Sequence, residues 1–149
     1  MSKHKRPLLD TATFIEYKSF INDTLFEKMK MSTVVLYELT ATTIRKSDFQ
    51  ELNFIRQIFY KRGDLLTPTM TDWWETAKLI RRLRFGEKRD FRGKTPKLAD
   101  AHRLQNDALI ARNSYLNDCF IVTTNYDDFE KFVPFMENLD VIAAEDFFA

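Results

Sequence analysis

Pro7-Leu8-Leu9-Asp10-Thr11-Ala12-Thr13-Phe14-Ile15 decides how the chain is read. Leu8 and Leu9 follow each other without polar alternation, which suits a short strand buried in a sheet. The run stops on a carboxylate, Asp10, and a new element begins behind it. An open α/β sheet presents its ligand crevice at the carboxyl ends of its strands, and Asp10 would sit there. Thr11 and Thr13 are near enough to hydrogen-bond and orient that carboxylate. Asp10 also reads simply as a helix N-cap, a position that Asp favours. Taken alone the stretch favours the cap; acids in similar settings further along weigh for a site.

The rest of the chain alternates between the two kinds of element. Residues 15–31 carry an apolar stripe at three-to-four spacing (Phe14, Tyr17, Ile21, Leu25, Met29) and read as helix, with an interruption at Asn22-Asp23-Thr24. Ser32-Thr33-Val34-Val35-Leu36-Tyr37-Glu38-Leu39 has a β-branched start and reads as a strand, with Glu38 at its end or in the turn that follows. Ser47-Asp48-Phe49-Gln50 has the pattern of a capping box. The helix it opens places Phe49, Leu52, Ile55, Ile58 and Phe59 on one face, and Gly63 suits its stop. Residues 65–69 form a short extended link ended by Pro68. Thr71 or Asp72 then caps a helix through Trp73, Ala77, Ile80 and Leu83 to near Gly86, with the Trp73-Trp74 pair read as core and groove wall.

Residues 85–97, with Gly86, Gly93 and Pro96, read as a long loop. Pro96 suits the first turn of a helix that runs through Leu98, Ala101, Leu104, Ala108, Leu109, Ala111 and Leu116 and closes at Asp118 and Cys119. One break is allowed in it, which would put Asp107 within or at the start of its second part. Phe120-Ile121-Val122-Thr123-Thr124 is the clearest buried strand and stops on Asn125-Tyr126-Asp127-Asp128-Phe129. Leu139-Asp140-Val141-Ile142-Ala143 reads as a last strand. Short apolar strands between helices imply an α/β fold with a mainly parallel sheet.

A chain of 149 residues is long enough for one domain, 1–149, with a substantial core. With Cys119 as its single cysteine it can form no intrachain disulfide, which suits a reducing cytoplasm. No apolar run is long enough for a signal peptide or a membrane span, so a cytoplasmic protein with no membrane partner is expected.

Asp10, Glu38 and Asp128 each fall at or just past the end of an expected strand, and those ends share one edge of a parallel sheet. Asp107 could point to the same place. Carboxylates gathered there cannot all stay ionised without a cation, because like charges raise each other's pKa. Oxygen donors with no Cys or His cluster suit Mg²⁺ or Mn²⁺ rather than Zn²⁺. Such ions most often serve phosphate chemistry, generating a hydroxide and stabilising the leaving oxygen. Rival chemistries lack their motifs: the chain has no GxxxxGK[ST], no GxGxxG and no GxSxG. The Asp10-Thr11-Ala12 ending also lacks the Asp-x-Asp of aspartyl-phosphate phosphatases.

Leu8-Leu9-Asp10-Thr11, Ser32 through Leu39, Asp107-Ala108-Leu109-Ile110-Ala111 and Thr123-Thr124-Asn125-Tyr126-Asp127-Asp128-Phe129 resemble, in order, the motifs of PIN domains, and among these VapC-type toxin ribonucleases. The resemblance spans nearly the whole chain. It implies a PIN-like three-layer α/β/α fold and a metal-dependent endoribonuclease restrained by a small antitoxin protein, with a homodimer as a further assembly to test. Carried over by position, Asp10, Glu38 and Asp107 match the core acids. The fourth place is open between Asn125 and Asp128, with Asp128 taken first and Asp127 as an extra acid. Thr11, Thr123 and Asn125 would orient ligands and water from behind the acids.

Lys78, Arg81, Arg82, Arg84, Lys88, Arg89, Arg92, Lys94 and Lys97 make one segment basic, while the carboxyl-terminal part is acidic. With Phe85 and Phe91 interleaved, this segment is either a solvated face, an antitoxin docking surface or an RNA contact through Arg89, Arg92 and Lys94. A structure-selective DNA nuclease and a non-catalytic binding module are the rival readings of the whole.

Overall fold

The computed structural model describes residues 4–85 and 98–149. Strand β1 (Arg6–Leu9) is followed at once by helix α1 (Thr11–Glu16), a 3₁₀ turn (Lys18–Phe20) and helix α2 (Asp23–Lys28). The expected helix over 15–31 is therefore broken into short pieces and begins earlier. Asn22, read as an interruption, is the cap of the second piece: its side chain accepts from the Leu25 N–H at 2.8 Å.

The stretch from Ser32 to Leu39 corrects the expectation more sharply. Only Met31–Ser32 is strand (β2); Thr33–Ala41 is helix α3. The Ser32 hydroxyl accepts from the Val34 N–H at 3.1 Å and donates to Asn113 at 2.7 Å, so it starts the helix and pins its end to the protein interior. Val35 and Leu39, one turn apart, then face the core together. Capping and tertiary packing override the β preference of two adjacent valines.

Helix α4 (Lys46–Arg62) starts one residue before Ser47, and no side chain caps it, so the capping-box reading there fails. Its far end behaves as expected: Gly63 takes the left-handed conformation, φ 76°, and closes the helix. Leu52, Ile55 and Phe59 are its buried face, while Phe49 is exposed. A reciprocal capping pair does occur further on. After β3 (Leu65–Leu66), the Thr69 N–H donates to Asp72 at 2.7 Å and the Asp72 N–H donates to the Thr69 hydroxyl at 3.2 Å. Asp72 thus serves inside the first turn of α5 (Met70–Phe85), and Thr69 is the cap in place of Thr71 or Asp72. Trp73 and Trp74 are 48% and 66% exposed, so the pair is not core.

Helix α6 (Leu98–Leu116) has no break, and Asp107 lies in its middle. Arg112 on α6 donates to Asp72 at 3.0 Å, which fastens α6 to α5. The turn out of α6 uses Asp118 at φ 53°, a left-handed position that Asp tolerates better than most residues. Cys119, expected to close the helix, is the first residue of β4 (Cys119–Thr123). Burial pushes its thiol up to about 11. Helix α7 (Tyr126–Glu130), a 3₁₀ turn (Val133–Phe135), β5 (Asp140–Ala143) and α8 (Ala144–Phe147) complete the chain.

The sheet has the order β1-β4-β5, all parallel, with Leu9 opposite Val122 and Thr123 opposite Ala143. β2 and β3 form a second parallel pair, joined to β1 by a bridge between Leu8 and Lys30. All five residues of β4 are buried, so helices cover both faces of the central strand. This is the α/β fold with a mainly parallel sheet that the alternation of elements implied. Among the described residues no helix is long and apolar enough to cross a membrane.

At the amino ends of the strands the charges are paired. Asp64, buried at the corner between α4 and β3, accepts from Arg6 at 2.8 and 2.6 Å and from Arg62 at 2.7 Å. Burial alone would raise its pKa, but the hydrogen bonds and charges of Arg6 and Arg62 outweigh it and hold the carboxyl below its ordinary value of 3.8. A carboxyl lowered in the fold stabilises above its unfolded pKa, and that contribution is lost as pH falls through the folded value. Asp64→Asn should therefore cost about 2 kcal/mol at neutral pH, less than the roughly 3–5 of a fully buried pair because both arginines are partly exposed. Urea melts of both proteins across pH should show the gap full above about pH 4 and closing below it.

Candidate active site

Because β1 and β4 run parallel and in register, they end side by side. Asp10 stands immediately past Leu9 and its N–H donates to Val122 at 3.4 Å, extending the pairing by one step. Its carboxylate is 4% exposed and is met from three sides. Oδ1 accepts from the Thr13 N–H at 3.1 Å and from the Thr13 hydroxyl, and Oδ2 accepts from the Thr123 hydroxyl at 2.8 Å. Each threonine oxygen is in turn held by the turn after β4: Thr124 N–H donates to Thr13 at 3.0 Å, and Asn125 N–H donates to Thr123 at 2.9 Å. The cap reading and the site reading of Asp10 thus converge on one residue, which caps α1 while standing at the carboxyl edge of the sheet. Burial raises its pKa, these hydrogen bonds oppose the rise, the charge of Glu38 adds to it, and the net direction is up.

Glu38 comes from α3 rather than from a strand end. Its Oε1 accepts from the Thr11 hydroxyl at 2.6 Å. Thr11 therefore orients Glu38, not Asp10, and Thr13 takes the role at Asp10. Asp107 enters from the middle of α6, partly buried. Burial pushes its carboxyl up to about 6, and the charges of Asp10, Asp128 and Glu38 push the same way against the opposing charge of Lys131. Asp128, exposed in the first turn of α7, is thus one of the charges felt at Asp107. Asp127 shares that turn and is also exposed. The Asn125 side chain makes no capping bond; its part is played by its backbone N–H.

Three carboxylates from three other segments of the chain, Asp10, Asp128 and Glu38, therefore bear on Asp107. Among the described residues, no group of three or more His, Cys, Asp and Glu side chains is gathered so as to hold a metal ion. Mg²⁺ keeps several of its waters and takes only one or two carboxylates directly, so a loose set of hard oxygen donors fits it where a closed cage of side chains is absent. Two residues were not found from sequence. Lys131 was legible in principle, three residues past Asp128 and so beside it on a helix face. The backbone N–H of Thr124 carried no side-chain signal at all. Arg89, Arg92 and Lys94 lie outside the described residues.

No protein-family model and no curated protein matches the chain. Solved structures do. A crystal structure of VapBC from Salmonella typhimurium bound to DNA matches with a TM-score of 0.57 at 18% identity, covering 94% of this chain and 98% of that one. One of VapBC2 from Rickettsia felis, bound to a DNA fragment from their promoter, matches with a TM-score of 0.55 at 18% identity, over 92% and 97%. FitAB bound to an IR36 DNA fragment gives 0.50 at 14%, over 93% and 94%. At these identities the likeness is one of fold, and the fold is the PIN-like one that the sequence motifs implied.

The raised pKa of Asp107 has a thermodynamic consequence. An acid whose folded pKa lies above its unfolded value of 3.8 opposes folding once ionised, an effect absent at low pH and complete above about 6. Without metal, Asp107→Asn should be more stable than wild type by about 1 kcal/mol near pH 7.5, and the difference should vanish toward pH 4. Thermal melts in EDTA at several pH values measure it. If the Asp107 carboxyl were not raised in the fold, by burial and by its acidic neighbours, the two proteins would melt together at every pH.

Proposed function

We propose that this chain is a Mg²⁺- or Mn²⁺-dependent endoribonuclease of the VapC type, the toxin of a toxin–antitoxin pair. The observation that carries the reading is the placing of Asp10 at the carboxyl edge of a parallel sheet, with the charges of Asp10, Asp128 and Glu38 all bearing on Asp107. Among the described residues, the charge of Lys131 opposes those of Asp10, Asp128 and Glu38 at Asp107 without reversing the rise of its carboxyl, and an added cation would ease that repulsion. The likeness of fold to VapBC and FitAB structures supports the same reading. As the motif resemblance implies, a small antitoxin protein would cover the acids and restrain the enzyme.

Asp10, Glu38, Asp107 and Asp128 would hold the cation, directly or through its waters. When bound, Mg²⁺ or Mn²⁺ supplies an activated water and stabilises the charge that develops on the phosphate and the leaving oxygen. The chain's own part is positional. Thr13 and Thr123 fix the plane of Asp10, and Thr11 fixes one oxygen of Glu38. Asp128, exposed in the first turn of α7, would meet the substrate side. The RNA backbone would follow the basic stretch that contains Arg89, Arg92 and Lys94, and water attack with loss of the 3′ oxygen leaves a 5′-phosphate and a 3′-hydroxyl.

Purified protein incubated with RNA and DNA oligomers should cut RNA, require Mg²⁺ or Mn²⁺, stop in EDTA, and lose activity by about 100-fold or more in Asp107→Asn, as expected when placement of the metal supplies most of the catalysis. Preferential cutting of DNA would identify the rival nuclease. Binding without cutting would leave only a binding module.

If Arg89, Arg92 and Lys94 contact RNA, changing the three to Glu should weaken binding and flatten its salt dependence. Each lost phosphate contact reduces the slope of log K against log salt by about 0.7 for a single strand. An unchanged slope in filter-binding titrations moves the RNA path elsewhere.

A further inference from the structure

A carboxylate offers about four lone-pair positions, two on each oxygen. At Asp10 three are already taken. Oδ1 accepts both the backbone N–H and the hydroxyl of Thr13, which fills it; Oδ2 accepts the Thr123 hydroxyl, which leaves one position. The geometry points to Thr13 as a positioning residue that makes Asp10 a one-point ligand, able to meet a cation only through Oδ2. This inference rests on the nuclease reading above and assigns Thr13 a part in choosing the metal.

Capping α1 needs only the Thr13 N–H, so the hydroxyl bond to Oδ1 is additional to the cap. A buried helical threonine ordinarily satisfies its hydroxyl on a carbonyl one turn back. Thr13, at 0% exposure, instead donates to Asp10 and accepts from the Thr124 N–H. A hydroxyl in so buried a place is unfavourable unless bonded, and here both of its bonds lead to the acid site. It also links α1 to the turn that leads into α7, so the orientation of Asp10 is tied to the segment that carries Asp128.

Denticity separates the two common divalent ions. Ca²⁺ accepts two oxygens from one carboxylate and tolerates irregular geometry, whereas Mg²⁺ demands octahedral single-point donors. Blocking Oδ1 therefore favours Mg²⁺, and freeing it favours Ca²⁺. Thr13→Val removes the hydroxyl and keeps the volume; Thr13→Ser keeps the hydroxyl and loses a methyl. The full chain and both variants are melted while Mg²⁺ or Ca²⁺ is titrated, with RNA cleavage measured in parallel.

In Thr13→Val the Mg²⁺ concentration for half-maximal stabilisation should rise about 10-fold to 100-fold, the usual cost of losing a residue that orients a ligand. The Ca²⁺ concentration should rise less or fall, and Mg²⁺-dependent cleavage should drop with the Mg²⁺ response. Thr13→Ser should melt lower than wild type yet recover the wild-type preference between the ions. If Val does not fold, Thr13→Ala takes its place. An unchanged ratio of the two ions in the hydroxyl-free variant overturns the inference, as does a ratio in Ser shifted as far as in Val. A wild type that responds to neither ion overturns it together with the nuclease reading, and that result appears before any variant is made.

Discussion

A carboxylate is buried where two parallel strands end, and it can stay there only because three donors reach it. Without the N–H of Thr13 and the hydroxyls of Thr13 and Thr123, Asp10 would be an uncompensated buried charge, among the costliest things a small domain can contain. The same three bonds start α1, close the β1–β4 pair at its end and fix the direction of the acid. Structure and chemistry make identical demands on this residue, so its orientation is held as firmly as the fold itself.

The aspartates of this chain divide by what faces them. Asp64 and Asp72 lie against arginines and are held below the ordinary carboxylate value despite their burial. They are fasteners, one tying β1 to the corner after α4, the other tying α5 to α6. Asp10 and Asp107 are raised. Burial pushes all four up. At Asp64 the two arginines outweigh it, and at Asp72 the Thr69 N–H and Arg112 do. At Asp10 it outweighs the hydrogen bonds from Thr13 and Thr123, and at Asp107 it is joined by the charges of Asp10, Asp128 and Glu38.

Much of this was legible in the sequence, and the failures share a cause. Leu8-Leu9 and Phe120 to Thr123 are apolar runs too short for a helix and bounded by polar residues, and they are strands. Gly63 ends its helix because few other residues take a positive φ without strain. Ser32 to Leu39 was read as a strand from Thr33, Val34 and Val35, yet β propensity largely reports fit to a half-buried pleated surface, and a hydroxyl at Ser32 caps a helix there instead. Glu38 consequently meets Thr11 from a helix and not from a strand end. Of the two threonines expected at Asp10, only Thr13 is there, for a similar reason: α1 begins at once, and helical geometry turns Thr13 back to Asp10 while Thr11 meets Glu38 on α3. Trp73 and Trp74 were expected in the core on size alone, but α5 turns other residues inward, among them Thr76, Leu79 and Ile80.

The bond from Thr123 to Asp10 spans 113 positions of sequence. A ribosome makes the chain from its amino end, so Asp10, Thr13, Glu38 and Asp107 all exist before Thr123, the last of the donors to Asp10. Until the stretch from Cys119 to Asn125 has emerged and paired, the first strand has no neighbour in β4, Asp10 lacks its Thr123 donor, and the acids have no common edge to share. Pairing of such distant segments is also the slow part of folding. With the activity proposed above, the chain would in this way stay unassembled through most of its own translation, leaving time for a partner made alongside it to be waiting when the site forms.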